Sequence, residues 1–227
     1  MGTELRVAVV EDEPLYRELL VTGLIARLPD VRVLGSFGSA EELTAALRPD
    51  DIDVLLADVD LGPGADGTQL GVHLRRRNRR MGVVLLSNLA MPGLLASLPE
   101  DVRGGWSYLL KTSVADLDQL ALAIRESAAG GMVIDSALTR KLVPEQVGPL
   151  SALTPRQVDV LSLMANGWSN KRIADDLVLS VRTVESVVSD IIAALAIPKD
   201  VDGYNARVAC VLVYLRHTVS TTRPSEG

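Results

Sequence analysis

The first half of the chain alternates short apolar runs with longer stretches whose apolar residues recur at helical spacing. "LRVAVV" (5–10), "VRVLGS" (31–36), "DVLLAD" (53–58), "GVVLLS" (82–87) and "WSYLLK" (106–111) predict five strands. Their unbroken, β-branched character suits strands covered on both faces, as in a parallel sheet. Helices are expected between them at 14–28, 39–48, 66–78, 90–98 and 113–128. The fourth is expected to be short or irregular, because "SNLAMPGLLASLPEDVRGG" carries proline and two adjacent glycines. In "SAEELTAAL", Ser39 and Glu42 have the spacing of a capping box. Five βα units with right-handed crossovers make a doubly wound α/β domain with a parallel sheet over residues 1–128.

The pattern then changes. Gly130-Gly131, Pro144, Gly148 and Pro149 punctuate residues 129–150, which read as a linker with room for one short helix near 136–142. From residue 154 onward the periodicity is helical only. "LTPRQVDVLSLMANG" opens with Thr154 as cap, Pro155 in the first turn and Gln157 at the third position. Gly167 ends that helix, "SNKRIADDL" makes a second, and Ser180 caps a third, with Thr183 placed for a reciprocal bond. A short helix, a tight turn and a longer helix are the parts of a helix-turn-helix, which makes 151–217 a small all-α domain. A purely structural helical bundle is the plainer alternative. The last stretch, 218–227, is expected to lack structure.

Composition narrows the function classes. A length of 227 residues suits two domains. Aromatics are 3% of the chain, so the cores must be aliphatic. The single cysteine, Cys210, excludes an internal disulfide and fits a reducing compartment. No apolar run has membrane-spanning length and the N-terminus lacks a signal-peptide pattern, so a cytoplasmic protein with no membrane partner is expected. His73 and His217 are the only histidines and lie far apart, which excludes a zinc site of ordinary spacing. The net charge of −6 sits in residues 1–128, with 19 acids against 13 bases; residues 151–227 hold eight of each. A neutral domain counts mildly against nucleic acid, where a basic surplus is the rule. The run "LRRRNRR" (74–80) reads as cations complementing the end of the third helix rather than as a polyanion patch.

Chemistry in an open parallel sheet collects at the carboxyl ends of its strands. Those ends carry Glu11 and Asp12, then Asp58, Ser87 and Lys111. Singly, acids at strand ends serve turns and helix caps. Together, packed carboxylates are relieved by a hard cation such as Mg²⁺, and a metal-bound aspartate near a lysine is a nucleophile toward phosphorus.

"VAVVEDEPLYRELL", "VLLADVDLGPGADG", "VVLLS" and "YLLK" resemble, in order and spacing, the receiver domain of two-component response regulators over residues 5–128. The resemblance implies that Asp58 is the phospho-acceptor and Asp12 a direct Mg²⁺ ligand. It makes Glu11 a ligand through water and the Asp60 backbone carbonyl a further one. Ser87, Tyr108 and Lys111 become the switch residues. Two departures stand out: Gly62 holds a place where the family favours proline, and Asn88 is bulkier than usual after Ser87.

"LTPRQ", "LMANG", "SNK" and "RTVES" similarly resemble the LuxR-type DNA-binding domain, and the two together the NarL/FixJ class. That implies a recognition helix at 181–195, a dimerising helix at 203–217, and DNA contacts from Lys171, Arg172, Arg182, Thr183, Ser186 and Lys199. The expected partners are DNA, a sensor histidine kinase and a second copy of the chain. Val187, Asp190 and Ala194 replace residues that favour DNA in the family, so a monomer should bind weakly. Two other functions stay open. One is an atypical regulator governed by a ligand or partner. The other is a haloacid-dehalogenase-like phosphatase using Asp58 and Asp60, although that family carries the element on its first strand.

Overall fold

A computed structural model describes residues 4–62, 66–91, 93–114, 117–140, 142–144, 148–198 and 205–220. Two compact units result: Met1–Ala90 with Leu98–Val133, and Met91–Ser97 with Ile134–Gly227.

The first unit holds strands β1 (Leu5–Val10), β2 (Val31–Phe37), β3 (Val54–Asp58), β4 (Gly82–Ser87) and β5 (Trp106–Leu110). They form one parallel sheet in the order β2-β1-β3-β4-β5, the doubly wound α/β fold expected from the sequence. β3 and β4 are wholly buried, which is why they read as unbroken apolar runs. Alternate residues leave the sheet on opposite faces. Val7, Val9, Leu56, Val84, Leu86 and Leu109 meet helices α1 (Pro14–Arg27) and, further along the chain, the last helix of the unit. The other face takes α2 (Ala40–Ala46) and α3 (Gly67–Arg77). The single turn α4 (Gly93–Ala96) belongs to the second unit, and α5 (Leu117–Ala128) is that last helix. α4 spans four residues where nine were allowed for, in keeping with its helix-breaking composition. Ser39 caps α2 as expected, but Glu42 reaches back to the Gly38 N–H rather than to that of Ser39.

The second unit continues with α6 (Ser136–Thr139), β6 (Leu142–Pro144), α7 (Pro155–Ala165), α8 (Asn170–Leu177), α9 (Val181–Ala194), α10 (Ala206–Arg216) and β7 (Thr218–Ser220). Val160, Leu161, Met164, Ile173, Val184, Ile191, Cys210, Val211 and Tyr214 are buried and form an aliphatic core with one aromatic. Thr154 and Gln157 make the expected capping box on α7; Ser169 and Ser180 cap α8 and α9. Within this unit Arg216 donates to the Ala96 carbonyl from Nε and Nη2, at 3.2 and 3.0 Å.

One pairing was not expected. Thr218–Ser220, the first residues of the stretch read as unstructured, lie antiparallel to Leu142–Pro144 in the stretch read as a linker. Two three-residue strands separated by about 75 positions leave no local pattern to read. Residues 221–227 lie outside the described residues. Among the described residues no helix is long and apolar enough to cross a membrane.

Candidate functional site

The strand order reverses between β1 and β3, and there the crevice at the carboxyl ends opens. Glu11 and Asp12 follow β1; Asp58 ends β3. The register pairs Asp58 with Leu86 and Ser87 with Leu110, which puts Ser87 and Lys111 on the same rim. Lys111 Nζ lies 2.6 Å from Asp58 Oδ2 and 2.9 Å from Glu11 Oε1. The three side chains are only 8%, 6% and 1% exposed, for Lys111, Asp58 and Glu11. Oxygens of Glu11, Asp12 and Asp58 all lie within 4.8 Å of one another.

One ammonium therefore serves two buried carboxylates, with a third carboxylate beside them. Burial alone pulls the Lys111 pKa down, but its bonds to Asp58 and Glu11 outweigh that and hold it above the usual lysine range. Burial likewise pushes Glu11 up. The bond to Lys111 opposes this and the Asp58 charge adds to it, leaving Glu11 above the usual glutamate range. The cluster carries surplus negative charge. Among the described residues Glu11 Oε2 is buried with no hydrogen-bond partner, an orphaned hard oxygen of the kind a divalent cation satisfies. The donor set fits such an ion.

The surrounding backbone is tightly fixed. The Asp60 N–H donates to Asp58 Oδ1 at 3.1 Å, which holds the Asp58 carboxylate in place. The Gly67 N–H donates to the Val59 carbonyl, and a Cβ at Gly67 would fall 1.9 Å from the Asp58 carbonyl oxygen. Only glycine lets α3 start so close to the end of β3. Ser87 Oγ is buried and accepts from the Leu89 N–H at 3.0 Å. Tyr108 is buried too, and its hydroxyl donates to the Leu89 carbonyl. Leu89 thus links the two.

Sequence reasoning missed two neighbours of the site. The Tyr16 ring lies 4.8 Å from Lys111 Nζ, its hydroxyl donates to the Lys111 carbonyl at 3.3 Å, and burial pushes its pKa to about 12. Arg17 donates to the Glu11 carbonyl. Their place on the first turn of α1, just after the acidic pair, was the available signal. The basic run was misread in part. Arg75 is buried and donates to the Met81 and Arg79 carbonyls, beyond the helix end, with its Nε unpartnered among the described residues. Burial lowers its pKa to about 10.

In the second unit, α8 and α9 meet at a turn whose residue Val178 has φ 53° and ψ 52°. Lys171, Arg172, Arg182, Thr183 and Ser186 are exposed. Two of them are engaged within the unit. The Arg172 guanidinium stacks 4.3 Å from the Trp168 ring, and the Thr183 hydroxyl lies 2.8 Å from that of Ser180. Val184 and Ile191 face inward from α9. Lys199 lies outside the described residues.

Residues 7–125 match the response regulator receiver domain and residues 151–205 the bacterial regulatory proteins of the luxR family. The chain is a two-component response regulator with a luxR-family C-terminal domain. It is 29% identical to the transcriptional regulatory protein LiaR of Bacillus subtilis, over 95% of this chain and 100% of that protein. It is 30% identical to the DNA-binding transcriptional activator DevR/DosR of Mycobacterium tuberculosis, over 86% of this chain and 89% of that one. A solved structure of two RcsB dimers bound to two parallel DNAs shares the fold at TM-score 0.51 and 24% identity, covering 95% and 99% of the two chains.

Proposed function

We propose that this response regulator is a cytoplasmic, dimeric transcription factor switched by phosphorylation of Asp58 by a sensor histidine kinase. The observation that carries the reading is the site at the switch point: Lys111 bridging Asp58 and Glu11, with Asp12 alongside. Asp58 Oδ forms the bond to phosphorus as the bond from phosphorus to the donor nitrogen breaks. Lys111 releases its hold on Asp58 Oδ2 and pairs with the incoming phosphoryl oxygen. Asp12, Asp58 and the Asp60 carbonyl would hold Mg²⁺ directly, and Glu11 through water. Bound there, Mg²⁺ supplies positive charge against the transferring phosphoryl group. Ser87 Oγ can turn from the Leu89 N–H to a phosphoryl oxygen, which frees the Leu89 segment and with it the Tyr108 hydroxyl.

The luxR-family unit supplies the output, with α9 as the helix that enters the major groove and Lys171, Arg172, Arg182, Thr183, Ser186 and Lys199 toward DNA. Acetyl phosphate or phosphoramidate with Mg²⁺ should label the protein stably, and Asp58→Asn should not be labelled. Footprinting with both forms then reads the switch. Normal labelling of Asp58→Asn would sink the acceptor assignment. A footprint indifferent to labelling would leave an atypical regulator, and rapid release of phosphate from phosphate esters would indicate a phosphatase.

A further inference from the structure

From position 170 to 194, the stretch spanning α8 and α9, the chain carries four acids (Asp175, Asp176, Glu185, Asp190) against three bases (Lys171, Arg172, Arg182). One acid lies in the middle of the face that would meet a polyanion. Arg182, Glu185, Ser186 and Ser189 are exposed and recur at i, i+3, i+4 and i+7, so they line one outward stripe of α9, opposite buried Val184 and Ile191. Arg182 stands one turn before Glu185, at a spacing that suits an ion pair, yet among the described residues Glu185 forms none. The carboxylate is not used to hold the unit together.

A free carboxylate on this stripe works against binding unless it accepts a hydrogen bond from a base. Only two major-groove groups donate: cytosine N4 and adenine N6. Beside adenine N6 lies the N7 lone pair, which repels the second carboxylate oxygen. On the same base, cytosine N4 is flanked by the C5–H edge, while on the partner base both donors adjoin an acceptor, guanine O6 or thymine O4. From this we infer that Glu185 is the specificity-determining residue of α9 and reads a cytosine through its N4 amino group. The inference rests on the DNA-binding reading above. Wherever cytosine is absent, the same side chain is an unpaired charge against an acceptor-rich groove, so Glu185 discriminates by repulsion as well as by attraction.

Random-oligonucleotide selection with the full-length, phosphorylated protein tests this, using wild type, Glu185→Ala and Glu185→Gln. Because Glu185 is exposed, both variants should melt at the wild-type temperature. The wild type should select a motif with one cytosine fixed in each half-site. Glu185→Ala should lower the preference for cytosine in that column by at least about five-fold, leave the other columns as they were, and bind unrelated DNA more tightly. Glu185→Gln should move the column toward adenine, since an amide can both donate to N7 and accept from N6. If Glu185→Ala keeps the wild-type motif and gains affinity equally for all sequences, Glu185 only repels phosphate and the inference is overturned. A wild type that selects no motif overturns it together with the DNA-binding reading.

Discussion

Gly67 stands so close to Asp58 that a Cβ at Gly67 would come within 1.9 Å of the Asp58 carbonyl oxygen. Backbone cannot give way as a side-chain tip can. Gly67→Ala should therefore push the start of α3 off the end of β3 and lower the stability of the first unit by about 3 kcal/mol. Urea unfolding measures this. Labelling of Asp58 should slow in the same variant, because the backbone that aims its carboxylate is displaced.

Lys111 is the ammonium that faces both Glu11 and Asp58. Lys111→Met leaves two buried carboxylates uncompensated and should cost about 3 kcal/mol in the absence of divalent ions. Mg²⁺ should restore more stability to this variant than to the wild type. Equal Mg²⁺ effects on the two melting curves would place the ion elsewhere.

Asp53 accepts from the Arg6 N–H and from its guanidinium at 2.8 to 3.0 Å, tying β1 to β3. The Arg6 bond holds the Asp53 pKa below the usual aspartate range. A depressed folded pKa contributes stability that is present above the unfolded value, near 3.9, and is lost as pH falls through the folded value. Both side chains are about a third exposed, so the contribution is screened to about 1 kcal/mol or less. Asp53→Asn should lose that amount at pH 7 and lose less than the wild type on going below pH 4, by denaturant midpoints.

Val178 is 90% exposed and sits at φ 53°, a left-handed conformation that costs a β-branched residue about 1–2 kcal/mol. It buries nothing to offset that. Val178→Asn should raise stability by about 1 kcal/mol, read as a higher melting temperature of the second unit.

These cases show what the sequence discloses. Unbroken apolar runs mark β1 and β3–β5 because a parallel sheet is covered on both sides, and the residue after each run then names the site. Thr154–Gln157 and Ser180–Thr183 announce their helix starts because a cap is a bond between near neighbours. Tyr16 over Lys111 is a meeting of positions 95 apart, so only the fold brings it about. Arg75 looked like its neighbours in a basic run, but helical phase turned it inward. Val178 could not be anticipated, since its residue type argues against the conformation it adopts.

Arg182 is exposed on α9 and makes no ion pair among the described residues. Arg182→Ala should weaken specific binding by about 1–3 kcal/mol if it meets a base edge. A loss equal on all sequences, with the salt slope reduced by about one, assigns it to phosphate. Binding should be cooperative, because two half-sites held by one dimer raise the effective concentration of the second domain.

The pairing of Leu142–Pro144 with Thr218–Ser220 brings the two ends of the stretch that carries α7 to α10 side by side. Segments whose ends meet can be re-cut: joining 220 to 142 through a short glycine linker and opening the chain elsewhere should preserve α7 to α10. The same adjacency sets the smallest autonomous fragment. Beginning at the family boundary near 151 would leave the closing strand of the C-terminus with its ladder groups unpaired, a bare edge inviting association between copies. A fragment from 134 to 220 keeps that strand paired and should stay free of aggregates at concentrations where the shorter one aggregates.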